Sequence, residues 1–197
     1  MIAINTLTLS DLSILSVNQS EVMRYLGMKN TDESFLTIFE QGKRDAFSVA
    51  EPRAVYVKTA IFVDDDIVDF GFMKVQSKSL AKNLCDCTEA YVFCATLGIG
   101  LDRYFERVSK VSQAKATVFS AVGSSLVESF CDYVNERLAD GKLTKPRFSC
   151  GYGDFSIEHQ KDILNVLEAS KRLGVCLTDS YMMIPVKTVT AVIGIRR

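Results

Sequence analysis

The sequence predicts an α+β chain. Two observations carry that reading. Strand-like segments rich in Val, Ile, Tyr, Phe and Thr occur as a hairpin pair and as separated strands, without the regular strand–helix–strand alternation of a parallel sheet. Between them lie amphipathic segments with apolar residues at helical spacing, the longest from Ala114 to about Ala139.

Residues 1–17 read as a loose, weakly patterned arm. A short helix is predicted from Ser20 to Gly27, with apolar contacts from Val22, Met23, Tyr25 and Leu26. Thr31 or Asp32 can cap a second helix bearing Phe35, Ile38, Phe39, Ala46 and Phe47, which ends at Glu51-Pro52 because the residue before proline avoids the helical region. Residues 1–50 thus form a helical arm packed on the domain, and residues 51–197 form its α+β core. Ala54 to Val63 reads as a strand, Asp64-Asp65-Asp66 as a turn and Ile67 to Met73 as the return strand. The three aspartates lack the alternating ligands, central glycine and closing glutamate of an EF-hand, so they are read as a solvated turn.

Ser77 to Leu84 fits a short helix, and Glu89 to Thr96 a largely apolar strand. Leu97-Gly98-Ile99-Gly100 then leads into a helix from Leu101 to about Val108. The third glycine of a dinucleotide loop and a Gly-Lys-Ser/Thr run are both missing, so this is a tight connection and no phosphate loop. On the long helix, Phe119, Val122, Leu126, Val127, Phe130, Val134 and Leu138 form an apolar stripe. Ala121, Ser124, Ser125, Glu128 and Asp132 lie on another side; this is either a solvated acidic face or a small-residue face that a ligand can approach. Asp140-Gly141 closes the helix, with the glycine in the left-handed conformation.

The least ordinary stretch follows: Arg147-Phe148-Ser149-Cys150-Gly151-Tyr152-Gly153-Asp154. Arg147 offers a permanently charged fork suited to a carboxylate or phosphate. Two glycines around one aromatic permit a turn barred to other residues. On local chemistry alone this is equally a structural turn beside a surface arginine. Ser156 caps the next helix, whose apolar side is Ile163, Leu164, Val166, Leu167 and Leu173 and whose stop is Lys171, Arg172 and Gly174. A final strand runs from Val186 to Ile195, with Val189, Ala191, Ile193 and Ile195 on one face.

Charge and composition exclude several classes. The net charge is −1 with no sustained basic block, which argues against a nucleic-acid surface. No apolar run reaches the roughly 18 to 20 residues of a membrane span. Met1 to Ser10 lacks a secretory pattern, so a cytoplasmic location is expected. The spacing of the six cysteines matches no zinc knuckle, and His159 is the only histidine. Free, reduced thiols are expected, with Cys94, Cys131 and Cys176 acting as small hydrophobes.

Arg147-x-x-x-Gly151-Tyr152 resembles the signature of the activation domain of cobalamin-dependent methionine synthase. Leu126-Val127-Glu128-Ser129-Phe130 resembles that family's glutamate-bearing helix. Leu173-Gly174-Val175-Cys176-Leu177-Thr178-Asp179-Ser180 and Met183-Ile184-Pro185-Val186-Lys187-Thr188-Val189 are similar to its later runs. The correspondence spans about Thr88 to Ile195. Cys150 stands where the family often has proline, and Gly153-Asp154-Phe155 replaces its usual residues after the tyrosine.

The resemblance implies a twisted, mainly antiparallel sheet flanked by helices. It implies a domain that binds S-adenosylmethionine for reductive remethylation of oxidised cobalamin held by a partner, with an electron from a flavodoxin-like donor. Arg147 would meet the methionine carboxylate, Glu128 the amine or a ribose hydroxyl, and Gly151 and Tyr152 the wall of the pocket. The chain itself then needs no acid, base, nucleophile or metal. The family's N-terminal acidic contact is expected among the aspartates and glutamates of residues 32–51. No homocysteine-, folate- or cobalamin-binding module and no Asp-x-His-x-x-Gly motif occurs in the chain. The expectation is a free-standing reactivation partner of a methionine synthase that lacks this domain. Two alternatives are a module serving another corrinoid methyltransferase and an interaction protein that has lost ligand binding.

Overall fold

The computed structural model describes residues 3–196. Its centre is a four-stranded, wholly antiparallel sheet in the order β1 (Ile4–Thr8), β2 (Arg53–Ala60), β6 (Cys87–Thr96) and β9 (Thr188–Arg196). The α+β expectation is thus met. Both faces of this sheet are covered. Phe93, Ala95, Ala191 and Ile193 point to one core, and Val55, Val57, Val92, Cys94 and Val192 to the other, as the two-residue period of a strand requires.

The first core is helical. α1 (Gln19–Tyr25), α2 (Glu33–Val49), α4 (Gly100–Ser109) and α5 (Gln113–Ala139) pack over the sheet there. Asp32 caps α2 by accepting from Phe35 N at 2.7 Å. Phe119, Val122, Leu126, Phe130 and Val134 of α5 are fully or almost fully buried in this core. At the end of α5, Asp140 (φ 46°) turns left-handed together with Gly141 (φ 76°), so the reversal does not rest on the glycine alone.

The second core lies beneath the other face. It is closed by the meander β3 (Phe62–Asp64), β4 (Ile67–Asp69) and β5 (Lys74–Gln76), by α3 (Lys78–Leu84), and by α6 (Gln160–Val166) and α7 (Ala169–Leu173). β7 (Cys176–Leu177) and β8 (Met183–Ile184) form a small separate hairpin.

Several expectations are corrected. Within residues 1–17, Ile4–Thr8 is no loose arm: it is the edge strand hydrogen-bonded along β2, while Met1 and Ile2 lie outside the described residues. The predicted strand Ala54 to Val63 is two strands in two sheets. The chain leaves the large sheet at Ile61, whose N donates to Thr88 O at 2.9 Å, and enters the meander at Phe62. The predicted return strand stops at Asp69, where the carboxylate accepts from Gly71 N at 2.7 Å and turns the chain toward β5. The single helix expected after Ser156 is a short 3₁₀ turn followed by α6 and α7, broken at Glu168 (φ 48°). The last strand begins at Thr188 instead of Val186. All six cysteines are unpaired, but Cys176 is exposed and no small core hydrophobe. Cys94 and Cys131 are buried, and burial pushes the Cys131 thiol up to about 12. No helix among the described residues is long and apolar enough to cross a membrane.

Candidate functional site

The Arg147 stretch runs as an irregular strand beside β9. Lys145 N donates to Gly194 O, Phe148 N to Val192 O, and Val192 N to Phe148 O, all at 2.9 Å. Adjacent residues of an extended chain point to opposite faces, which separates the roles of Arg147 and Phe148. Phe148 packs on the second core. Arg147 turns to α5 and donates from Nη1 to Asp132 Oδ1 (2.6 Å) and from Nη2 to Glu128 Oε2 (2.9 Å). Glu128 and Asp132 are one helical turn apart, so a single planar guanidinium spans both. The Arg147 side chain is 21% exposed, Glu128 37% and Asp132 69%.

α1 completes this surface. Ser125, three residues before Glu128 and thus its neighbour on the helix face, donates to Glu21 Oε2 at 2.8 Å. Its hydroxyl also accepts from Asn18 N at 3.1 Å, and Ser129 Oγ accepts from Ser16 N at 3.0 Å, which fixes the start of α1 on α5. Tyr25 donates to Glu21 Oε1 at 3.0 Å. Burial first, then this hydrogen bond and the negative charges of Glu21 and Glu128, raise the Tyr25 pKa and keep the phenol a donor. Glu21, outside residues 32–51, is thus an acidic side chain held on α5 through Ser125, three residues before Glu128. Within that range, Asp45 is engaged by the Tyr104 hydroxyl and by Gln41. Glu21 sits in an unremarkable amphipathic helix, and only the long-range Ser125 contact marks it.

Gly151 and Tyr152 lie in the following turn. Gly151 (φ 88°) donates to Phe155 O at 2.7 Å, and Phe155 N donates to Tyr152 O at 3.0 Å. Tyr152 is 56% exposed and meets Phe148 edge-on, with ring centroids 6.1 Å apart. Cys150, at the position of the family's frequent proline, points into the second core, where burial pushes its thiol up to about 12. The structure thus joins Arg147 directly to Glu128, and places Gly151 and Tyr152 at the lip of the same stretch without a hydrogen bond or ion pair to either.

Asp154 anchors the turn from a distance. Its carboxylate accepts from Ser77 Oγ (2.5 Å), Lys78 N (2.8 Å) and Ser79 N (3.0 Å) at the start of α3. Gly153 (φ 56°) permits this approach, since a β-carbon there would lie 2.6 Å from Ser79 Oγ. The Ser77 hydrogen bond first, then the two amides, hold the Asp154 carboxyl well below the usual carboxylate range. A depressed folded-state pKa stabilises the fold above about pH 4 and loses that effect as pH falls. Asp154→Asn is therefore expected to lower the melting temperature at pH 7 and to flatten its decline between about pH 4 and pH 2. Thermal unfolding followed across that range checks this, and an unchanged slope would remove Asp154 from the acid sensitivity.

No protein-family profile and no curated protein matches the chain. Among solved structures, a crystal structure of the MetH reactivation domain bound to AdoHcy superposes with a TM-score of 0.71. The match is 14% identical in sequence and covers 98% of this chain and 78% of that one. What this chain shares with that domain is its fold.

Proposed function

We propose that this chain binds S-adenosylmethionine and supports reductive remethylation of oxidised cobalamin on a methionine synthase that lacks its own activation domain. The observation that carries the reading is the charge of the α1–α5–Arg147 surface. Glu128 and Asp132 hold the half-buried guanidinium of Arg147, and Glu21 is bound to Ser125 three residues before Glu128 on the same helix. S-adenosylmethionine presents an ammonium and a sulfonium against a single carboxylate, so a surface with three carboxylates against the two cations Arg147 and Arg24, the latter paired with Glu21 at 3.2 Å, fits it in both sign and excess. Arg147 takes the carboxylate; Glu128, already at the guanidinium, takes the amine or a ribose hydroxyl. Gly151 and Tyr152 supply a main-chain edge and an aromatic wall. The likeness in fold to a reactivation domain bound to AdoHcy supports the same reading.

The ligand's methyl group and a partner's cobalamin supply the chemistry, with the electron coming from a flavodoxin-like donor. The chain's part is to hold the sulfonium in one orientation on a rigid surface. Titration of the purified chain with S-adenosylmethionine in a calorimeter is expected to give saturable binding that weakens as salt rises, because the attraction is between partly exposed charges. Absence of binding sinks the reading. Given binding, remethylation of an oxidised cobalamin synthase with and without the chain tests the partner role.

A further inference from the structure

One turn and more N-terminal of Glu128 on α5, a cavity of about 440 Å³ opens between α4, α5 and residues 184–187. Its walls are apolar, chiefly Leu101, Phe105, Phe119 and Ile184. Asp102, Glu106 and Lys187 are its charged groups. Lys187 Nζ donates to Ser120 Oγ (3.2 Å) and Ser124 Oγ (2.9 Å), both neutral, and forms no ion pair among the described residues. An ammonium has three N–H donors, so one remains for a ligand. Asp102 accepts from Val186 N through Oδ2 at 2.9 Å and lines the cleft, so its carboxylate keeps further acceptor capacity there. Gly123 keeps the lysine stem against the helix, since a β-carbon there would lie 3.1 Å from Lys187 Cε. Burial lowers the Lys187 pKa and raises that of Asp102, and attraction between the two charges works against both shifts.

We propose that this cleft binds a zwitterionic α-amino acid with an apolar side chain. The carboxylate sits on Lys187, the ammonium on Asp102 with Glu106 at the rim, and the side chain lies against Leu101, Phe105 and Phe119. Charge selects this class. A simple anion would gain Lys187 but face two carboxylates, and a simple cation would gain the carboxylates but face Lys187. A zwitterion satisfies both signs, while the apolar walls reward a side chain and not a bare head group. The site is separate from the Arg147 surface and does not depend on S-adenosylmethionine binding.

The probe is L-norleucine, titrated into the intact chain by calorimetry and by amide chemical shifts. Saturable binding is expected, with shifts at Leu101, Phe105 and Phe119. Hexanoate and n-pentylamine, each keeping one charge, are expected to bind at least about 10-fold more weakly, the loss expected for one hydrogen bond to a charged group. Lys187→Met and Asp102→Asn should each weaken norleucine by a similar factor, and Arg147→Ala should leave it unchanged. Absence of saturation up to about 10 mM, equal binding of hexanoate, or an Arg147→Ala variant that loses norleucine overturns the proposal. The ligand series uses the unaltered chain, so it decides even where a variant fails to fold.

Discussion

Phe155→Ala is expected to lower the unfolding free energy by about 3 to 5 kcal/mol, whereas Tyr152→Ala, three residues earlier, should change it by no more than about 0.5 kcal/mol. The two aromatics share one turn and have opposite surroundings. Phe155 is 1% exposed and lies between the rings of Phe148 (centroids 6.4 Å apart) and His159 (5.7 Å). Its carbonyl and amide tie the turn through Gly151 N and Tyr152 O. Truncation removes the ring and leaves a void between the turn and the second core, which the backbone cannot fill while Asp154 holds it to α3. Tyr152 keeps most of its ring in solvent and touches the protein through the edge of Phe148. A rigid turn that displays an exposed aromatic suits a ligand wall. Urea denaturation of both variants checks the contrast; equal losses would mean that Tyr152 is part of the turn's support and not its display.

Elements whose signals are local were legible in the sequence. Asp32 and Ser77 cap the helices they precede, and α5 runs almost over its predicted span because its apolar stripe is long and its stop signal clear. What escaped depends on contacts across the fold. β1 has an intermediate–exposed pattern because it is an edge strand, and its partner lies some fifty residues away. The α6–α7 break occurs at Glu168, where no glycine or proline interrupts the apolar pattern, so the left-handed residue is set by packing alone. The switch of sheets at Ile61 is hidden in a run that alternates equally well on either side of it.

The candidate site divides in the same way. Arg147 and Glu128 were marked by residue type and motif, and the ion pair between them follows from placing an irregular strand against α5. Glu21 carries no local mark, and Asp154 is marked only as the end of the Arg147 stretch, with nothing local to point to its partner. Glu21 acquires its place through Ser125, 104 residues away, and Asp154 through Ser77, 77 residues away. Small polar residues on the buried side of α5 were the available signal: Ser125 and Ser129 are docking points for α1, and Ser120 and Ser124 for Lys187.

Arg147→Ala is expected to weaken S-adenosylmethionine binding by about 1.5 to 3 kcal/mol, the range for hydrogen bonds to a charged group. Its effect on stability should be smaller, about 1 kcal/mol, because its partners remain partly wet: Asp132 is 69% exposed and Glu128 37%. Arg147→Lys should restore little of the affinity, since an ammonium is a point charge and cannot bridge two carboxylates a turn apart while facing a third group. Glu128→Gln separates the roles further. If both side chains touch the ligand, the double variant loses less than the sum of the single losses, because each single change also strands the other's charge. Calorimetric affinities alongside urea midpoints measure both quantities on the same four proteins. A stability loss of several kcal/mol with unchanged affinity in the folded fraction would make the Arg147–Glu128 pair a strut between the irregular strand and α5, and the ligand surface would then have to lie elsewhere on the fold.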